Sequence, residues 1–224
     1  MKFKVFVFLL IAQFSFSQQT SLKNPGDFDT VKVFDKISVQ LVPSEENKVQ
    51  ITGKYNSDVE IVNNNGVLKI KMSFGKLLKG EDISVVLYFK KLETIEAAEG
   101  SFIFCETPFK QISLGVNSKS GASIKLQLDV QKASISASSG GILQLEGTAE
   151  NQEASISTGG ILQADNLDTT QTTVSVTTGG VANVRASDLV DAKVKAGGNI
   201  TIYGKPKQIN QKTILGGTIV ESDR

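Results

Sequence analysis

Through the C-terminal part of the chain, apolar side chains fall at alternate positions around a small residue that returns about every 20 residues: Gly100, Ala122, Gly141, Gly160, Gly180, Gly198 and Gly217. Counted from these points, the second and fourth positions onward are Phe102/Phe104, Ile124/Leu126, Leu143/Leu145, Leu162/Ala164, Ala182/Val184 and Ile200/Ile202. Alternation of period two marks a strand with one buried face. On the other side of the small residue, Ile135/Ala137, Ala154/Ile156 and Val174/Val176 alternate with Ser136/Ser138, Ser155/Ser157 and Ser175/Thr177. Each repeat therefore predicts two short strands meeting at a glycine corner.

Repeats of this length indicate a solenoid. Helical repeats are excluded by the heavy use of Ser, Thr, Val and Ile, and by glycine pairs that would weaken every helix. Antiparallel hairpins would require turn signals every 8–12 residues with mirrored register. The reading is an all-β, right-handed parallel β-helix of about seven turns, with Gly141, Gly160, Gly180, Gly198 and Gly217 as structural corners that take positive φ.

Upstream the pattern changes. Strand-like runs lie at Thr30–Phe34, Ile37–Val42, Lys48–Thr52, Val59–Val62, Val67–Met72 and Ile83–Phe89, and Asn63-Asn64-Asn65-Gly66 is a hairpin signal. This part reads as largely antiparallel and is expected to pack on or cap the coil, whose end strands would otherwise invite pairing with other chains. The expected organisation is a signal peptide at 1–17, a short linker at 18–24, the antiparallel part at 25–98 and the β-helix at 99–224.

The first 17 residues carry Lys2 and Lys4, an apolar stretch from Val5 to Phe16, and a small-x-small site ending at Ser17 before Gln18. This is the pattern of a cleaved export signal, and the apolar run is too short to span a bilayer. The expected location is periplasm, cell surface or extracellular space, with no membrane span in the mature chain. Removing the two lysines leaves 22 basic against 23 acidic residues, which gives no electrostatic footprint for nucleic acid. Cys105 is the single cysteine, so no intramolecular disulfide forms, and its surroundings suggest a buried thiol.

The segment Ala196-Gly197-Gly198-Asn199-Ile200-Thr201-Ile202-Tyr203-Gly204-Lys205-Pro206-Lys207-Gln208-Ile209, the closing Leu215-Gly216-Gly217-Thr218-Ile219, the stretch from Leu92 to Ser101, and Phe28-Asp29-Thr30-Val31-Lys32-Val33 resemble the bacterial family described as "putative auto-transporter adhesin, head GIN domain". The resemblance covers most of the mature chain; Lys91 stands where that family often has proline. It implies a right-handed β-helix, secreted or displayed on the surface of Bacteroidota-like bacteria, in an adhesive role.

Candidate chemistry is sparse. Histidine is absent, which removes the commonest general base and transition-metal ligand. β-Helices can carry glycan-cleaving enzymes, and the residues that could serve are Asp165 and Asp168, Asp188 and Asp191, with Arg185 nearby; these acids could also bind calcium through oxygen ligands, although acids of this kind are usually solvated turn residues. The expectation is no enzyme and no cofactor. A binding surface is the better candidate: Gln144, Gln163, Asn183 and Thr201 form a polar ladder, and Ile142, Ile161 and Val181 an apolar stripe beside it, buried or exposed to a partner. With no tryptophan and three tyrosines, the face suits a protein somewhat better than a polysaccharide. The reading is an exported, non-enzymatic, adhesin-like protein with a protein or polysaccharide ligand; the alternatives are a carbohydrate-active lyase or glycosidase, or a periplasmic envelope scaffold.

Overall fold

The computed structural model describes residues 21–222, and the Ser17–Gln18 cleavage site lies outside them. In chain order the strands are β1 (Ser21–Lys23), β2 (Thr30–Val33), β3 (Ser38–Pro43), β4 (Lys48–Thr52), β5 (Val59–Asn64), β6 (Val67–Met72), β7 (Ser84–Phe89), β8 (Thr94–Ala97), β9 (Phe102–Cys105), β10 (Phe109–Lys119), β11 (Ser123–Ser138), β12 (Ile142–Ile156), β13 (Ile161–Val176), β14 (Val181–Ala196), β15 (Asn199–Tyr203), β16 (Gln208–Leu215) and β17 (Thr218–Glu221). All seventeen belong to one continuous sheet wound into a β-solenoid of about seven turns. The fold class is thus the one that the alternation indicates.

From β8 onward each turn stacks in parallel register on the one before. On one face the inward-facing column runs Ile124, Leu143, Leu162, Ala182, Ile200, Ile219. On the other it runs Val116, Ile135, Ala154, Val174, Ala192, Gln211. Stacking like on like fills the interior with a ladder of apolar residues and pairs every edge except those of the terminal rungs. At the C-terminal rung the inward positions of β16 are Ile209, Gln211, Thr213 and Leu215; the last three are exposed, so two polar residues and one leucine face the solvent there.

From the second to the fifth repeat the corners lie one residue earlier than the sequence beat places them. Consecutive positive φ angles occur at Glu99-Gly100, Ser120-Gly121, Ser139-Gly140, Thr158-Gly159 and Thr178-Gly179, and only in the last two turns do they fall on Gly197-Gly198 and Gly216-Gly217. Gly141, Gly160 and Gly180 therefore have a different reason to be glycine. A Cβ at Gly141 would collide with the Ser118 carbonyl, one at Gly160 with the Ala137 carbonyl, and one at Gly180 would crowd Ile156. Extending the strand register by one residue gives the column Ile83, Ile37, Ser101, Ala122, Gly141, Gly160, Gly180. Side-chain volume falls along it, which is why the glycine beat fades upstream. The same one-residue offset corrects the first turn: Ile103 and Cys105 point inward, at 0% and 6% exposed, while Phe102 at 37% faces out and stacks on Phe104.

The N-terminal part differs from the expectation in its pairing. Antiparallel pairs are confined to β1 with β4, β4 with β7, and β5 with β6. The β5–β6 connection is the Asn65-Gly66 turn, both residues at positive φ, as the hairpin signal requires. In contrast, β2 pairs in parallel with both β6 and β8, and β3 in parallel with both β7 and β9. The β2/β3 rung is therefore inserted between a later rung, β6/β7, and the first turn of the repeats. Residues 25–98 and 99–222 consequently share one sheet and one core, with β1, β4 and β5 covering the end. The segment 18–24, read as linker, contributes β1.

Candidate functional site

In the middle turns the outward positions of β11 to β14 form two shallow grooves on either side of an irregularity in β13. Ala164 pairs with Val184, yet the next pair is Asp168 with Arg185, so Asp165, Asn166 and Leu167 fall out of step with β14. Such a bulge re-aims the side chains it carries. One groove, of about 460 Å³, is lined by Lys125, Gln144, Leu145, Glu146, Gln163, Asp165, Asn166 and Asn183. It therefore gathers all three amides of the predicted ladder. The Gln144 amide nitrogen donates to the Gln163 carbonyl oxygen at 2.9 Å, and one rung away the Gln127 amide donates to Glu146 at 2.9 Å. Amides held by their neighbours have less rotamer freedom to lose when a partner docks.

Beside this groove, Ile142, Ile161 and Val181 stand in register on adjacent strands and are each half-buried. They cover one another along the stack and leave their outer surfaces in solvent. Sequence reasoning missed Lys125, Glu146, Asp165 and Asn166 as members of the same surface. The signal was available for Glu146 and Asp165, which stand at the fifth position after Gly141 and Gly160, two residues beyond the amides on the same face of the strand.

The acids considered for catalysis do not converge. Asp168 and Arg185 line the second groove, of about 470 Å³, with Thr148, Glu150 and Thr169, and the Arg185 Nε lies 3.7 Å from Asp168. Arg185 is held by the Asp165 carbonyl oxygen, to which it donates at 2.6 Å, and lies over the Tyr203 ring at 5.8 Å. The Asp165 side chain belongs to the first groove, Asp188 pairs with Lys207 at 2.8 Å, and Asp191 pairs through β14 with Thr173 on the other face. Among the described residues no group of three or more acids or thiols is placed to hold a metal ion. Burial pushes the Cys105 thiol above its ordinary value, which favours its protonated form, and its Sγ lies 3.2 Å from the Thr107 carbonyl oxygen.

Residues 27–206 match the family described as "Putative auto-transporter adhesin, head GIN domain". The chain belongs to this family. Solved structures share its fold. A putative adhesin from Bacteroides fragilis superposes with a TM-score of 0.82 at 20% identity, covering 93% of this chain and 98% of the other. A putative adhesin from Parabacteroides merdae gives 0.73 at 22%, with the same coverage. A protein from Parabacteroides distasonis described as a putative lipid binding protein gives 0.71 at 15%, again covering 93% and 98%. No curated protein matches the sequence. Among the described residues no helix is long and apolar enough to cross a membrane.

Proposed function

We propose that this GIN-domain protein is an exported, non-enzymatic, adhesin-like binding module whose contact surface is the outer face of β11 to β14. In this reading Gln144, Gln163 and Asn183 supply hydrogen bonds, Ile142, Ile161 and Val181 an apolar border, and Lys125, Glu146 and Asp165 the charge pattern that selects a protein or polysaccharide. The observation that carries it is the in-register ladder, whose Gln144–Gln163 hydrogen bond leaves one amide oxygen and one amide nitrogen free at its two ends for a ligand that runs along the stack. A repetitive, rigid face matches an extended partner, since successive rungs repeat the same group at about 4.8 Å. The dispersal of the acids over two grooves and two faces supports a binding role over a glycosidase, which needs a facing pair of carboxylates.

Two measurements test this. Labelling of intact cells should reach the protein at the surface, and the purified protein should bind immobilised matrix proteins or glycans in a manner that survives chelator and is lost in Gln163→Ala/Asp165→Ala. Recovery in the periplasm alone, without surface labelling, would support the envelope scaffold instead.

A further inference from the structure

The corner of the outermost rung departs from every other. The later turns change direction within a few residues, whereas β6 and β7 are joined by residues 73–83, and this loop carries its apolar side chains outward. Phe74 is 89% exposed, and Leu77 and Leu78 are 49% exposed each. The loop is nonetheless firmly held. The carboxylate of Asp35, itself 2% exposed, accepts hydrogen bonds from the Met72 N–H at 2.9 Å and the Leu78 N–H at 3.0 Å. The Asp35 carbonyl accepts from the Gly80 N–H at 3.0 Å, and the loop closes on itself through Lys76 N–H to the Ser73 carbonyl and Lys79 N–H to the Lys76 carbonyl. Leu78 sits at φ +59°, a conformation that a leucine adopts only at a cost. A buried acid and a strained leucine thus fix three apolar side chains in water.

Lysines flank them. Lys76 and Lys79 belong to the loop, and Lys54 approaches from the connection after β4. The Nζ atoms of Lys76 and Lys54 lie 4.5 Å and 5.5 Å from the centre of the Tyr55 ring. The nearby acids Glu60 and Glu81 are matched by Lys71 and Lys36, while Asp58 and Asp82 stand at the loop's base. Ser21, the first described residue, pairs with Ile51, three residues before Lys54, so the chain enters the fold at this same end.

We propose that residues 73–80 are a membrane-contact tip that seats in the surface of an anionic lipid bilayer. Phe74, Leu77 and Leu78 enter the boundary of the acyl chains, Lys54, Lys76 and Lys79 meet lipid phosphates, and Tyr55 lies at the level of the headgroups. An apolar projection ringed by lysines and an aromatic residue is the arrangement that the bilayer interface selects. A protein partner would have to supply both an apolar pocket and a ring of acids. A phospholipid surface offers acyl chains and phosphates together.

The protein contains no tryptophan, so Phe74→Trp gives a single fluorescent reporter at the tip. Its emission should shift to the blue on adding vesicles of phosphatidylcholine with phosphatidylglycerol. Phe74→Ser/Leu77→Ser should lower partition into these vesicles by at least roughly tenfold. Lys76→Gln/Lys79→Gln should lower it by roughly tenfold for anionic vesicles and leave pure phosphatidylcholine binding unchanged. Phe74, Leu77 and Lys79 are exposed and Lys76 is half-buried over Tyr55, so thermal melts should show the variants folded, and comparing them in one N-terminal form isolates the tip from residues 1–20. Emission unaffected by vesicles, or equal partition of parent and serine variant, overturns the proposal. A blue shift produced only by added protein overturns it in favour of a protein partner.

Discussion

The repeats after β8 and the two rungs before it build the same cross-section by opposite means. Each later turn rests on the segment about 19 residues before it, and at Gly141 and Gly160 the corner closes because glycine removes the Cβ that would strike the neighbouring carbonyl. The early rungs are assembled out of sequence order, with β2/β3 held between β6/β7 and β8/β9. Their corners are filled by Ile37 and Ile83, both buried, and by the Asp35 carboxylate. A solenoid can be closed by taking atoms away or by packing them in, and the choice decides whether stability is local or long-range.

The strongest way to break the repetitive half is Gly160→Val, which forces a branched side chain against the Ala137 carbonyl and should destabilise by about 3 kcal/mol or more, read from the urea midpoint. Gly159→Ala, one residue away, meets no atom within 4 Å but inherits φ +70°, and should cost only about 1 kcal/mol. If the two substitutions cost the same, the distinction between close approach and backbone conformation fails.

The early half should yield most to Asp35→Ala. That change leaves the Met72 and Leu78 N–H groups without their acceptor, at a cost of about 2–3 kcal/mol, and hydrogen exchange should rise first in residues 72–80. A uniform rise over the whole solenoid would contradict the assignment of a local anchor.

Glu96 on β8 joins the two halves, binding Lys32 of β2 at 2.9 Å and Lys119 of β10 at 2.6 Å. Burial pushes its carboxyl up, but the hydrogen bonds and charges of Lys119 and Lys32 together outweigh burial and hold it below its ordinary value of 4.5. A carboxyl lowered in the folded state stabilises above its unfolded value, and that contribution is lost as pH falls from there through the folded value. Melting temperature should therefore drop as pH falls below about 4.5, and Glu96→Gln should lower stability at neutral pH while flattening this part of the acid dependence. An unchanged acid profile in the variant would remove Glu96 from the account.

The smallest effect has the opposite sign. Leu78→Gly relieves the positive φ of a non-glycine residue and should be neutral to stabilising, by up to about 1 kcal/mol. Loss of stability would mean that the Leu78 side chain contributes packing that its exposure does not suggest.

The two halves also differed in how far they could be read from sequence. Alternation around Leu143/Leu145, Leu162/Ala164 and Ala182/Val184 disclosed the coil because each turn repeats the environment of the last, and residues 48–52 and 67–72 were legible as strands for the same reason of local pattern. The insertion of β2/β3 was not legible. A β-strand's alternation records which face is buried, and says nothing of which strands lie beside it. At the candidate surface, Gln144, Gln163 and Asn183 could be grouped by their shared place in the repeat. Asp165 keeps the repeat's fifth position, but Asn166 reaches the same groove through a bulge, and no period contains an irregularity. The one-residue offset at Ile103 and Cys105 arose because Gly100 closes one turn while Gly141 packs against another, and a glycine in a sequence does not declare which task it performs.

The inserted rung also orders events in time. A chain is made N-terminus first, so the ribbon Thr30–Pro43 exists long before either of its neighbours, with one edge unpaired until Phe89 has followed and the other until Cys105. Growth of the coil cannot begin at its own beginning. Of the strands of the first three rungs β9 is the last to arrive, and its pairing with β3 completes the surface on which the remaining turns are laid down.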